Sequence, residues 1–151
     1  MTKPYFEFEQ DFVANLRCIP MTVRYKLDTC GIKLKLSHWH EFSQEIRQAL
    51  VDKPCETPEE IEAYREWLNG LVLEYTNAPA KDLPVEKNPP WMDPTQIPDT
   101  VEDKAKEEKV NLTLEQWANL SPIERFVLIK LSRPSHENKN FLPAIQEFNL
   151  G

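Results

Sequence analysis

The chain of 151 residues is long enough for one folded domain, or for two small halves that share a core. Its 40% hydrophobic and 28% charged residues are typical of an ordinary folded protein and argue against a disordered or fibrous one. A net charge of −7 argues against general nucleic-acid binding, and no window approaches the roughly 18 apolar residues of a membrane span.

The balance of glycine and proline favours an all-α fold. Three glycines are too few for the turns of hairpin-rich β structure. Thirteen prolines suit helices whose first turns and connections are set by proline. The opening MTKPYFEFEQ does not look like an export signal, and the cysteine count of three is odd. We therefore expect a cytoplasmic protein with reduced thiols.

Two helices are predicted before residue 32. Phe8, Phe12, Leu16 and Ile19 recur on one helical face, and Pro20 forces a boundary after them. A second helix runs from Pro20 to about Thr29, and Gly31 ends it.

A basic segment, Arg17–Leu36, overlaps both helices and carries a net charge of +4. A basic patch on an acidic protein is a candidate docking surface for a partner of opposite sign. The candidate partner-binding cations are Arg17, Arg24, Lys26, Lys33 and Lys35. The competing interpretation is an ordinary solvated face, neutralised by Glu7, Glu9 and Asp28 and by an Arg24–Asp28 pair.

A weak internal repeat follows. At a constant offset of 78 residues, six positions of 32–51 match 110–129. The matched pairs are Leu34 and Leu112, Leu36 and Leu114, Trp39 and Trp117, Ser43 and Ser121, Arg47 and Arg125, and Leu50 and Leu128. The pattern predicts a short helix, a turn and a second helix in each copy, with Trp39 and Trp117 as core anchors.

Capping signals define the helices of the repeat. We expect Ser37 or Thr113 to cap the first helix of each copy, and Ser43 or Ser121 to cap the second. A longer helix is predicted from the Thr57-Pro58-Glu59-Glu60 start to about Thr76. In the second half, 138–148 takes the equivalent place, and Pro143 is expected to interrupt it.

Six prolines lie between Pro79 and Pro98. This stretch is either an arm packed across the surface or a mobile linker, and Trp91 with Met92 favours the packed arm. Trp91 is the tryptophan that we expect to be most exposed, which makes it a candidate apolar contact for a partner. After the arm, Val101–Val110 is predicted as an exposed charged helix in which Glu102 is placed to pair with Lys106.

The cysteines are weak candidates for chemistry. Cys18, Cys30 and Cys55 are spaced without a C-x-x-C pair, so neither a metal site nor a cofactor is expected. Cys30 lies on an apolar stripe, typical of a buried small hydrophobe. Cys18, next to Arg17, is the better candidate for a reactive thiol.

Four segments together resemble the nitrate reductase-associated protein family of cyanobacteria and some algae. They read FVANLRCIPM, VRYKLDTCGIKL, PCETPEEI and LTLEQWANLSPIERFVLIKL. The resemblance covers most of the chain. It implies a small cytosolic protein that supports assimilatory nitrate reductase, and it implies no established catalytic residues.

The sequence thus predicts one helical domain over 1–151, with related halves at 32–76 and 110–149 joined by a proline-rich connection at 77–100. We predict a non-enzymatic accessory protein with nitrate reductase, the enzyme that the resemblance implies, as its partner. Charge and hydropathy predict no nucleic-acid or membrane partner. The alternative is a redox, metal or molybdenum-cofactor carrier that uses Cys18, Cys30 and Cys55.

Overall fold

The computed structural model describes residues 6–9, 19–83, 85, 89–133 and 139–150. The chain divides into two compact units, Met1–Val85 and Glu86–Gly151, which we call unit 1 and unit 2 and describe separately. Most of the described chain is α-helical, which confirms the predicted all-α class. The helix predicted over Phe8–Ile19 lies largely outside the described residues. A single 3-10 turn covers Glu7–Glu9.

Unit 1 contains four α-helices and a two-stranded antiparallel ribbon within its described residues. The helices are α1 (Met21–Cys30), α2 (Leu36–Glu41), α3 (Gln44–Asp52) and α4 (Pro58–Thr76). The strands are β1 (Ile32–Lys33) and β2 (Lys81–Asp82), which pair Ile32 with Asp82 and Lys33 with Lys81.

The boundaries of α1 follow from local backbone chemistry. Pro20 precedes the helix in an extended conformation, and Gly31 follows it in the left-handed region at a φ of 80°. The Gly31 N–H donates to the Leu27 carbonyl at 2.9 Å, which closes the last turn. The buried Glu9 carboxylate accepts a hydrogen bond from the Met21 N–H at 2.9 Å. It thereby satisfies a first-turn N–H group that has no partner within the helix. The prediction of this helix is confirmed.

The long helix α4 begins where its capping signal predicts. The Thr57 hydroxyl accepts from the Glu60 N–H at 3.2 Å, and the Glu60 carboxylate accepts from the Thr57 N–H at 2.9 Å. The hydrogen bonds that the Glu60 carboxylate accepts from the Thr57 N–H and the Glu56 N–H lower the pKa of Glu60. At the other end, Asn77 takes the left-handed conformation, with a φ of 58°, directly after Thr76.

The core of unit 1 lies between α4 and the helices that precede it. Trp39, Leu50, Tyr64 and Leu68 are completely buried there. The Tyr64 hydroxyl donates to the Leu50 carbonyl at 2.8 Å, so this buried polar group has a partner. Trp39 is therefore a core anchor, as predicted.

Unit 2 contains four α-helices in its described residues. They are α5 (Asp99–Glu107), α6 (Leu114–Asn119), α7 (Pro122–Ser132) and α8 (Phe141–Glu147). A 3-10 helix at Pro90–Met92 precedes them. Helix α7 is central, since it contacts the 3-10 helix, α5 and α8. Trp117 is completely buried, and its Nε1–H donates to the Asp93 carbonyl at 2.9 Å.

Three capping predictions are confirmed and one is wrong. Ser43 and Ser121 cap α3 and α7, and Thr113 caps α6. Ser37 does not cap α2. That helix begins two residues earlier than a Ser37 cap requires, with Lys35 at the N-cap. There the Lys35 N–H donates to His38 Nδ1 at 3.3 Å, so the His38 ring takes the place that a Glu or Gln side chain has at the third helical position of a capping box.

Two further expectations in the second half are corrected. Helix α5 is not exposed all round, because Val101, Lys104 and Ala105 are buried on one of its faces. The buried Lys104 ammonium pairs with Glu108 at 3.1 Å and Glu107 at 3.5 Å. Pro143 does not interrupt α8. It occupies the first turn, where a missing N–H removes no intrahelical hydrogen bond.

Candidate functional site

The structure divides the predicted docking cations into two kinds. Lys33 and Lys35 are exposed, whereas Arg24 and Lys26 on α1 are half-buried. Arg17 lies outside the described residues. The exposed pair is thus available for a partner, and the half-buried pair makes contacts within unit 1.

Lys26 stabilises the end of α3. Its Nζ donates to the Val51 carbonyl at 2.5 Å and to the Lys53 carbonyl at 2.7 Å. A cation at this end of a helix interacts favourably with the helix dipole. Burial lowers the pKa of Lys26, while the nearby Cys55 and Asp52 partly oppose that change. Arg24 likewise donates from Nε to the Ile19 carbonyl at 3.3 Å. Both side chains have internal roles that the sequence pattern does not reveal.

The β ribbon brings a third lysine to the exposed pair. Lys81 of β2 lies directly opposite Lys33 of β1, and both side chains are exposed. Residues opposite each other in an antiparallel pair project from the same face, and like charges in that arrangement repel. We call Lys33, Lys35 and Lys81 the lysine face. Sequence analysis missed Lys81 because it lies far along the chain, at the start of the proline-rich connection.

Arg65 of α4 holds the ribbon in place. Its Nη1 donates to the Cys30 carbonyl at 2.8 Å and to the Gly31 carbonyl at 2.9 Å. Its Nη2 binds the Asp82 carboxylate at 2.5 Å. The ion pair with Arg65 engages Asp82, the acidic neighbour of Lys81. Asp82 therefore does not neutralise the lysine face, and two of the three lysines lie on a ribbon that Arg65 fixes to α4.

Trp91 is more exposed than the buried Trp39 and Trp117, but it is not fully exposed. It belongs to unit 2, where it lies in the 3-10 helix Pro90–Met92 and is half-buried. Its ring meets Phe126 edge to face, with centroids 5.2 Å apart and planes at 89°. This geometry is that of a stabilising aromatic pair. The neighbouring Met92 is 54% exposed and offers more apolar surface.

The described cysteines are poorly suited to redox or metal chemistry. Cys30 and Cys55 are buried and are not joined in a disulfide. Burial raises the pKa of Cys30 to about 11 and that of Cys55 to about 12. Since the thiolate is the nucleophile and the metal ligand, both groups are held in the unreactive form. Cys18 lies outside the described residues.

In the part of the chain that the structure describes, no three His, Cys, Asp or Glu residues are grouped to hold a metal ion. Across the same residues, no helix has both the length and the apolar character needed to cross a membrane.

Comparison with protein families gives one clear result. The model of the conserved nitrate reductase-associated protein family matches residues 5–148. The chain belongs to this family. No curated protein and no solved structure matches it. The match spans both units, so the lysine face and the core of unit 2 both lie within the family region of the chain.

One further residue of this family member was missed by the sequence analysis as a functional candidate. Arg125 of α7 is only 6% exposed, and within the described residues its Nε and Nη1 atoms have no hydrogen-bond partner. The repeat includes Arg125 as the counterpart of Arg47 but does not indicate its burial.

Proposed function

We propose that this protein is a non-catalytic accessory protein that binds nitrate reductase and supports its maturation or activity. The observation that carries the proposal is the family match, which extends over residues 5–148 and names nitrate reductase as the associated enzyme. The burial of Cys30 and Cys55 as protonated thiols favours this role over that of a redox or metal carrier.

We place the docking contact at the lysine face. Lys33 and Lys81 face each other on a two-stranded ribbon, an arrangement that disfavours folding slightly. An acidic surface on the partner would compensate this repulsion on binding. Because these side chains are exposed, the attraction acts through water and weakens when salt screens it, over about 10 Å at 0.1 M ionic strength.

The test is a binding titration between purified nitrate reductase and charge-reversal variants of the whole chain. We expect Lys33→Glu with Lys35→Glu to weaken binding by about tenfold or more at low salt. The difference from the wild-type protein should shrink as salt rises. The matched control reverses Lys106 and Lys139, two exposed lysines of unit 2, and should bind as the wild type does.

Lys81→Glu alone separates folding from binding. Opposite Lys33, it replaces repulsion by attraction, so the melting temperature should rise slightly while affinity falls. Equal affinity of the wild type, the double variant and Lys81→Glu would remove the lysine face from the interface. Failure of the wild-type protein to bind nitrate reductase in either its apo or its cofactor-loaded form would disprove the accessory role itself.

A further inference from the structure

Arg125 presents an unusual electrostatic situation in unit 2. Its guanidinium is almost fully buried, and two of its three nitrogens lack a hydrogen-bond partner among the described residues. A guanidinium stays charged at any physiological pH. A buried charge without hydrogen bonds is strongly unfavourable. Such a group in a folded protein therefore indicates a binding partner that the protein chain itself does not supply.

The repeat matches Arg125 with Arg47 of unit 1, whose guanidinium has hydrogen-bond partners. Arg47 donates from Nε to the Trp39 carbonyl at 2.9 Å and from Nη2 to the His40 carbonyl at 3.0 Å. The Cζ atom of its guanidinium also lies 5.9 Å from the centre of the Trp39 ring. Arg125 is more deeply buried than Arg47, yet its Nε finds no such carbonyl.

Two acidic residues, the sequence neighbour Glu124 and the electrostatically coupled Asp93, have other hydrogen-bond partners. The Glu124 carboxylate accepts from the Ser121 N–H at 2.9 Å and from the Ser121 hydroxyl at 3.0 Å. The Asp93 carboxylate accepts from the Thr95 N–H at 2.9 Å. Hydrogen bonds from Thr95 are the main reason for the lowered pKa of Asp93, and the charge of Arg125 adds to it. The Asp93 carboxylate is thus close enough to interact electrostatically with Arg125, but it accepts no hydrogen bond from Nε or Nη1 of Arg125.

We propose that Arg125 is the anchor of a binding site for a small monovalent oxyanion, of the carboxylate or nitrate type. The planar N–H donors of a guanidinium match the oxygen atoms of such planar anions. The deep burial of Arg125 requires a small occupant. Its single positive charge, with Asp93 nearby, favours one negative charge over two.

The experiment measures the melting temperature and the heat of binding of the full chain. Sodium nitrate and sodium acetate are titrated in turn against sodium chloride at constant ionic strength. For the wild type we expect a saturable rise in melting temperature with nitrate or acetate, as for any ligand that binds only the folded state. In Arg125→Met the saturable response should disappear. Without added oxyanion this variant should melt at the same or a higher temperature, because an unpaired buried charge has been removed.

Arg47→Met is the matched control. It removes a guanidinium whose donors are satisfied, so it should melt at a lower temperature and keep the oxyanion response. A wild-type response that does not saturate, that chloride reproduces, or that Arg125→Met retains would overturn the proposal. So would a strong destabilisation of Arg125→Met in oxyanion-free buffer.

A second variant tests the site while Arg125 remains in place. Asp93→Asn removes a nearby negative charge, and its backbone carbonyl still accepts from Trp117. We expect the dissociation constant for nitrate or acetate to fall several-fold. An unchanged or weaker affinity would place the bound anion elsewhere and would also overturn the assignment.

Discussion

The thiols of Cys30 and Cys55 lie against the backbone of α1. Cys30 Sγ is 3.8 Å from the Leu27 carbonyl oxygen, and Cys55 Sγ is 3.9 Å from that of Lys26. Burial raises the pKa of Tyr64, whose hydroxyl lies in the same core, and a negative charge on Cys30 or Cys55 would raise it further. The part of the unit 1 core around these groups therefore disfavours negative charge, which makes the stability of unit 1 sensitive to alkaline pH.

We expect the free energy of unfolding to fall as the pH rises above about 9, the ordinary value for a thiol. The unfolded thiols lose their protons there, whereas the folded thiols keep them to about pH 11 at Cys30 and about pH 12 at Cys55. The folded state then binds more protons, so rising pH destabilises it. Tyr64 acts in the same direction, and Lys26, whose pKa is lowered, acts in the opposite one. Urea unfolding between about pH 8 and about pH 10.5 measures the slope.

Cys55→Ala should make that slope shallower. Val51→Ala, at a similarly buried position without a titratable group, should lower stability by a similar amount at every pH. Parallel pH dependences for the wild type and Cys55→Ala would contradict the role of the buried thiol.

At the scale of the element, helix boundaries follow from short local signals. Thr57 with Glu60, Thr113 with Gln116 and Ser121 with Glu124 each form a reciprocal pair of hydrogen bonds three residues apart. Because all the required atoms lie within one turn, the sequence is enough to locate these helix starts. Ser37 has the right side chain, but α2 has already begun at Leu36, so a hydroxyl alone is an insufficient signal.

We expect Thr57→Ala to lower the free energy of unfolding by about 1 kcal/mol, since it removes the acceptor for the Glu60 N–H at the start of α4. Ser37→Ala is the control. It changes an exposed side chain that caps nothing and should change stability by less than about 0.5 kcal/mol. Chemical denaturation of both variants measures the difference, and equal effects would contradict the assignment of Thr57 as the cap.

The functional surface depends on contacts that a local pattern cannot show. Lys26 reaches carbonyls 25 and 27 residues away, and Lys33 meets Lys81 only because β2 returns to β1. Sequence analysis could identify a basic segment, but it could not divide that segment into internal and exposed cations. It also paired Arg125 with Arg47 without revealing that their surroundings differ. Such distinctions depend on tertiary packing, which a repeat signature of six matched positions does not determine.

For the whole molecule, the prediction of a single domain over 1–151 has a thermodynamic consequence. Unit 2 spans 66 residues, and a chain of about this size buries too little surface to be more than marginally stable alone. We expect the two units to unfold together, in one calorimetric transition whose calorimetric and van 't Hoff enthalpies agree.

Core truncations in each unit test this expectation. Leu68 of unit 1 and Leu131 of unit 2 are completely buried, so replacing either by alanine should cost about 2–5 kcal/mol. Scanning calorimetry of both variants should show the same single peak moved to lower temperature. Two separate peaks, with each variant moving only one of them, would show that the units are independent domains.

Gly31 ends α1, and it also lies beneath the chain that returns from α4. A β-carbon at this position would come within 2.6 Å of the Val85 side chain and 3.1 Å of the Leu83 carbonyl oxygen. The Leu83 N–H donates to the Gly31 carbonyl at 2.8 Å, so the two backbones need that close approach. The absence of one methyl-sized group at residue 31 thus lets the returning chain bring Lys81 across from Lys33. Any larger residue there would push this part of the surface outward without altering a single charge.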